Sequence, residues 1–442
     1  MSNGGIKAVS RHPGSLEVWW ILENGSVQGA KWNEGQQWQQ YELAPAGSAE
    51  HLNKAITALS INRDTLEVWW IGKDGSVQGA KWNEGQQWQR YELAPAGSTN
   101  SWGRITAVSK FSGSMDVFWV GLNSSVQGAT WVDNNWKKYE LAPERSTYGP
   151  ITAVSRIPGS MDLFWIGNDH SVKGAKWEDG AQWQLYQVYS SDISKAKKSI
   201  STVSTNSWTI NVCWISESTV TGSNSIYSAK WEENGEWQTG LLTYGDDDFY
   251  PEVITILSRQ QDALEVWWTD VHSSINGHGQ NEDYQIAPYG SADRDSITAV
   301  SMFPGTIDVM WIGTNGSVQG AKWTEERQWQ RYEIVPPPTP LLPTGEQRID
   351  ISLEPIDGNI GARILKMTGS GFQANEPIKI FVSVYVNMKK VRVDTLNTQA
   401  NTTTGSFFTQ QEVQCQLHNY TMFYVMAEGS ISGKSNSLYV GC

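Results

Sequence analysis

The sequence is poor in the features that usually announce chemistry. Three cysteines in 442 residues, Cys213, Cys415 and Cys442, are too few for a disulfide framework and have no CxxC spacing for zinc. Cys415 and Cys442 are open to pairing in an oxidising environment. Basic residues are outnumbered, 33 Lys and Arg against 46 Asp and Glu, and the net charge of −13 repels phosphate backbones and anionic membranes, so no nucleic acid partner is expected. No run approaches the ~18 consecutive apolar residues of a membrane helix, which argues against membrane insertion. The opening MSNGGIKAVSRHPGS lacks the apolar core of a secretory signal. A soluble chain, cytoplasmic or exported by a non-classical route, is expected. There is no Ser-His-Asp spacing, phosphate-binding glycine loop or HExxH motif. The run Asp246, Asp247 and Asp248 lacks the alternating ligands of a calcium loop, and His272 and His278 have no third ligand beside them, so neither metal nor cofactor is expected. Lys195, Lys197 and Lys198 read as a solvated connector.

What the chain has instead is a repeat and tryptophan. The stretch LEVWWIGKDGSVQGAKWNEGQQWQRYELAPAGS from Leu66 to Ser98 recurs upstream from Leu16 and, diminished, downstream to Ile307. Its marker tryptophan falls at Trp20, Trp70, Trp119, Trp165, Trp214, Trp268 and Trp311, giving seven copies of 43 to 54 residues. Each copy holds four short strand-like runs, of the types ITAVS, LEVWWI, SVQGAKW and WQRYELAP, parted by turn signals such as Pro13-Gly14, Asn24-Gly25, Asp74-Gly75 and Glu84-Gly85. Four strands per unit repeated seven times predict a β-propeller over residues 1–335. Copies one and seven are complete at the strand level, so the ring can close. In LEVWWI, Leu66, Val68 and Trp70 alternate with Glu67, Trp69 and Ile71, and both faces are largely apolar, as a blade between two neighbours requires.

All 24 tryptophans precede residue 335. The repeat ends at the same place, at a proline-rich linker over 336–345. Seven further strand-like runs over 346–442 predict a small immunoglobulin-like β-sandwich. The expected fold class is therefore all-β: a seven-bladed β-propeller followed by that sandwich. Within the latter, KMTGSGFQANEPIKIFV resembles the opening of bacterial and fungal immunoglobulin-like accessory domains. A role in homodimerisation or docking is expected for it.

An enzyme needs different groups converging on one atom, whereas here nearly the same residues recur from copy to copy. That suits equivalent binding sites. Aromatic faces stack on the C–H faces of sugars, while carboxylates and amides exchange hydrogen bonds with hydroxyls. The candidate carbohydrate-binding residues are Glu17, Gln28, Trp32 and Trp38 in copy one; Glu67, Gln78, Trp82 and Trp88 in copy two; and Asp116, Gln127, Trp131 and Trp136 in copy three. Copy four supplies Asp162, Lys173, Trp177 and Trp183, and copy seven Asp308, Gln319, Trp323 and Trp329. Each type has a structural reading as well: the tryptophans and glutamines as packing or surface groups, the acids as partners of backbone amides in the next blade. Trp19 and Trp20 read as core between blades. Copy five replaces SVQGA with SIYSA and copy six loses both outer tryptophans, so these two are expected to be defective, leaving up to five sites.

The Leu66–Ser98 run resembles the repeat of bacterial propeller lectins of the Photorhabdus type and, more distantly, the fungal fucose-specific lectins and tectonins. The resemblance spans residues 4–335. It implies a calcium-independent lectin with shallow pockets between blades for fucose or O-methylated sugars, and glycans on glycoconjugates as partners. The fungal lectins carry an Arg where this chain has Glu17, Glu67, Asp116, Asp162, Glu265 and Asp308, so a fungal-type fucose site is not expected. The alternatives are a propeller glycosidase or sialidase, which needs Asp-box turns that KDGSVQGAKW does not match, and a protein-interaction propeller.

Overall fold

A computed structural model describes the chain except for residues 1–4, 52–53, 100–103, 148, 192–193, 219–223, 234, 245–249, 260–262, 280–281, 326–327, 338–347, 357–358, 371–376, 387–388, 400–405, 416–420, 430–432 and 442. The expected linker from 338 onward, Asp246 to Asp248, and the pairing of Cys415 with Cys442 fall outside the described residues. Cys415 itself is disulfide-bonded, and Cys213 is free and buried. Among the described residues every regular element is a β-strand. Among the described residues no helix is long and apolar enough to cross a membrane.

The chain divides into two compact units, Met1–Pro338 and Thr339–Cys442. In the first, seven four-stranded antiparallel sheets each pair their strands in sequence order. Sheet 1 comprises Ile6–Val9, Ser15–Ile21, Val27–Asn33 and Gln39–Ala44. Sheets 2 to 7 follow the same plan over 56–94, 105–142, 151–189, 194–244, 251–287 and 298–335. The connections stay short because the turn chemistry is local. Gly25 sits at φ 75°, where a Cβ would come within 2.7 Å of the Ala49 carbonyl, and the Asn24 side chain accepts the Ser26 N–H at 2.9 Å.

The second strand of each sheet carries the packing, and its two faces look opposite ways. Trp19 and Ile21 of sheet 1 cluster with Leu66, Val68 and Trp70 of sheet 2, whereas Trp69 and Ile71 of sheet 2 cluster with Met115, Val117 and Trp119 of sheet 3. Each sheet is thus apolar on both faces because a neighbour covers each. The first strand of every sheet lies against the first strand of the next, and that of sheet 7 against that of sheet 1. Met302, Met310 and Ile312 of sheet 7 share a core with Ile6, Leu16, Val18 and Trp20 of sheet 1. Lys54 and Asp293, far apart in sequence, form an ion pair at 2.8 Å.

Lys195 and Lys197 are not in a connector. They lie in the strand Ser194–Asn206 of sheet 5, where Lys197 pairs with Glu217. That stretch alternates buried Ser194 and Ala196 with its lysines, and this period of two is the strand signal that its charge obscured.

In the second unit, Arg348–Ile356, Asn359–Ser370 and Phe407–Gln414 form one sheet; Lys389–Gln399, Pro377–Val386, Thr421–Gly429 and Gly433–Gly441 form another. Both sheets contribute to one core, with Leu365, Met367 and Val413 from the first and Ile380, Val382, Phe423 and Val425 from the second.

Candidate functional site

Strand register builds a polar cluster on six of the seven sheets. Trp19 stands opposite Gly29, and Gly29 opposite Tyr41. The Tyr41 ring lies across that glycine so closely that a Cβ there would be 2.5 Å from it. So placed, Tyr41 accepts a hydrogen bond from Trp19 Nε1 at 2.8 Å and donates one to Glu17 Oε2 at 3.3 Å. Arg11, from the turn between the first two strands, brings Nε to 3.2 Å from Glu17 Oε1. The neighbouring sheet closes the cluster. The Arg11 guanidinium lies over the Trp82 ring at 4.7 Å, and Trp88 stacks on Tyr41 with centroids 6.1 Å apart. Acid, tyrosine and cation therefore come from one sheet and both tryptophans from the next.

The same junction recurs with variations. Between sheets 4 and 5, Tyr186 donates to Asp162 at 3.0 Å and stacks on Trp237, while Arg156 lies 4.8 Å over Trp231. Together with Lys176, Gln187 and Ile210 these line a cavity of about 250 Å3. Between sheets 6 and 7, Arg259 pairs with Glu265 and lies 3.8 Å over Trp323, with Tyr284 against Trp329. Between sheets 3 and 4, Lys110 takes the cation's place, 2.9 Å from Asp116 and 4.9 Å over Trp177, and the Trp183 edge meets Phe118. There Thr130 donates to Asp116 at 2.6 Å in place of the tyrosine. Between sheets 2 and 3, Tyr91 donates to Glu67 at 2.7 Å beside Trp131 and Trp136. Between sheets 7 and 1, Tyr332 donates to Asp308 at 2.9 Å in the cluster that holds Trp32 and Trp38.

Because each pocket joins two copies, the defects expected in copies five and six fall together. Sheet 5 has Asn211 in the acid's position and Gly240 in the tyrosine's, and sheet 6 lacks the two tryptophans that would face them. One junction, between sheets 5 and 6, absorbs both losses. Six junctions retain acid, tyrosine and both tryptophans, against the five expected from counting copies. Trp32 and Trp38 belong with Asp308 rather than with Glu17.

Electrostatically the acids are the tense members. Burial raises the Glu67 carboxyl to about 7 against the opposing Tyr91 hydrogen bond and Lys81, and raises Asp162 and Asp308 to about 6. Glu17, Asp116 and Glu265 are raised by burial too, opposed chiefly by Arg11, Lys110 and Arg259. The tyrosines are pushed up by burial and by the adjacent carboxylates, Tyr139 to about 12, so they remain donors. Asp162 Oδ2 and Asp308 Oδ2 are buried with no hydrogen-bond partner among the described residues. Each orphaned acceptor costs about 1–3 kcal/mol, which a bound hydroxyl would offset.

The glutamines are elsewhere. Gln78 stands opposite Trp70, four residues along its strand from Trp82. It is tied to the turn, donating to Ser76 Oγ at 2.8 Å, as Gln28, Gln127 and Gln319 do to Ser26, Ser125 and Ser317. Lys173 takes the equivalent position and pairs with Asp169 at 2.9 Å. Gln78 lines a separate, open groove of about 770 Å3 with Trp70, Lys73, Asp74, Arg90 and Glu92. The candidate set thus divides into two ends of the strand, which the structure does not bring together. The acids meet a tyrosine or threonine hydroxyl, and Glu17, Asp116 and Glu265 a cation as well, rather than the next sheet's backbone amides. His272 stacks on Tyr289 and His278 pairs with Asp283, and no metal-binding group is found among the described residues. Sequence reasoning missed the tyrosines and the cations Arg11, Lys110, Arg156 and Arg259. The tyrosine of YELAP was visible as a repeated residue; the cation, present in four copies, was not marked by the repeat's consensus.

No protein-family model and no curated protein matches the chain. Among solved structures, the SapL1 lectin in complex with α-methyl fucoside is 18% identical, with 64% of this chain and 95% of that one covered at a TM-score of 0.48. The Aleuria aurantia lectin, described as a six-bladed β-propeller with a fucose recognition mode, is 16% identical over 77% and 97%, TM-score 0.46. A prolyl endopeptidase also aligns, 8% identical over 84% and 56%, TM-score 0.46. At these values the likenesses carry no argument about what the chain binds.

Proposed function

We propose that the seven sheets are the blades of a closed seven-bladed β-propeller, that Thr339–Cys442 is an immunoglobulin-like sandwich, and that the chain is a multivalent lectin. The observation that carries this reading is the recurrent inter-sheet pocket of buried acid, tyrosine and tryptophan rings, in which Asp162 and Asp308 each keep a buried, unpartnered carboxylate oxygen. Rings that cover a sugar's C–H face, beside acceptors that need a hydroxyl, are complementary to a monosaccharide and to little else of that size. Six copies on one rigid ring convert weak single contacts into avidity for a glycan-coated surface. Fucosylated and O-methylated glycans are the first to try, given the resemblance of the repeat. Near-equivalence of the pockets speaks against a glycosidase, which needs one unique arrangement.

A glycan array with the full chain tests the reading. Binding to a defined sugar with several sites per chain is expected; silence across the array, methylated and fucosylated sugars included, would overturn it. Release of chromophore from aryl glycosides, abolished by a single substitution, would decide for the enzyme.

A further inference from the structure

The six complete pockets differ most sharply at one position, six residues before the acid. It holds Arg11, Lys110, Arg156 and Arg259 in four pockets, but Ile61 and Met302 in the other two. The cation does two things that geometry makes visible. It covers one tryptophan face, at 3.8 to 4.9 Å from the ring centroid. It also sets N–H donors beside the acid: Arg11 Nε lies 3.2 Å from Glu17, Lys110 Nζ lies 2.9 Å from Asp116 and Arg259 pairs with Glu265, while Arg156 lines the cavity with Asp162 and keeps a buried Nε without a hydrogen-bond partner. Where the position is aliphatic, the tryptophan pair closes on itself instead. Trp131 and Trp136 approach to 5.3 Å beside Ile61, and Trp32 and Trp38 to 6.4 Å beside Met302.

We propose that this position sorts the pockets into two affinity classes: four that grip sugar hydroxyls through a cation–carboxylate pair, and two that hold a sugar by aromatic contact and a lone carboxyl. The inference rests on the lectin reading and adds to it a specificity-determining residue and a ratio of sites. Charge-assisted hydrogen bonds separate the classes by about tenfold or more in dissociation constant.

The test is calorimetric titration of the full chain with the methyl α-glycosides of fucose, galactose, mannose and glucose. The glycoside that binds is expected to show four tighter sites and two weaker ones. Arg156→Met should move one site from the tight class to the weak one, and Ile61→Arg one the other way. Arg156→Lys should keep four tight sites, since Lys110 already serves in one pocket, and Ile61→Arg carries the test if Arg156→Met fails to fold. Six equal sites, or class sizes unmoved by Ile61→Arg and Arg156→Met, would overturn the sorting while leaving the lectin reading intact. No binding of any of the four glycosides overturns the sorting, and an array that is silent as well removes the lectin reading with it.

Discussion

The junction between sheets 4 and 5 and the one between sheets 5 and 6 are neighbours on the same sheet, yet they have diverged in only one layer. At the first, Arg156, Asp162 and Tyr186 face Trp231 and Trp237. At the second, Thr205, Asn211 and Gly240 face a sheet without those tryptophans. The apolar cores beneath are both intact: Ile200, Val212 and Trp214 at one, Cys213, Ile215, Ile254, Val266 and Trp268 at the other. Core and pocket therefore answer to separate requirements. Packing between sheets must be kept at every junction or the ring opens, whereas losing one pocket of several removes one site and no structure.

The largest effects should be alike at the two junctions. Trp214 and Trp268 are both buried, and truncating either to alanine should lower stability by about 3–5 kcal/mol in urea unfolding. A loss at Trp268 of less than half that at Trp214 would show that the degraded junction has a degraded core as well. The second effect separates them. Trp237→Ala should remove one of the proposed sugar sites counted by titration, with a smaller stability loss because Trp237 is only half-buried. Asn211→Ala, at the degraded junction, should leave the count unchanged; a lost site there would break the distinction.

The smallest effect concerns pH. Glu67 has a folded value near 7 against an ordinary 4.5, raised chiefly by burial. The folded state then holds its proton more tightly than the unfolded one, so stability falls as pH rises from about 4.5 to 7 and the penalty is fully present above 7. Glu67→Gln should raise the urea midpoint at pH 8 more than at pH 5. Equal midpoint changes at the two pH values would mean that the carboxyl titrates normally. Asn211 has no such group, so Asn211→Ala should show no comparable pH dependence.

Much of this was legible in the sequence. The period of the marker tryptophans set the number of four-stranded units, and the two apolar faces of LEVWWI announced that each sheet lies between neighbours, since a sheet with one wet face alternates apolar with polar. The acid and the outer tryptophans of the pocket were visible as repeated residues of suitable chemistry. Their grouping was not. Reading copy by copy joined Gln78 to Trp82 because they are close in the chain, although an extended strand puts four residues about 13 Å apart. It also set Glu67 beside Trp82, whereas the pocket sets Glu67 beside Trp131 and Trp136.

The sequence by itself determined the kinds of residue and how often they recur, because hydrophobic period and turn chemistry are local. Only the tertiary structure decided which copies meet. A strand shows its faces to two different neighbours, so every pocket belongs to a junction between copies, and the losses in copies five and six fall on one junction instead of two.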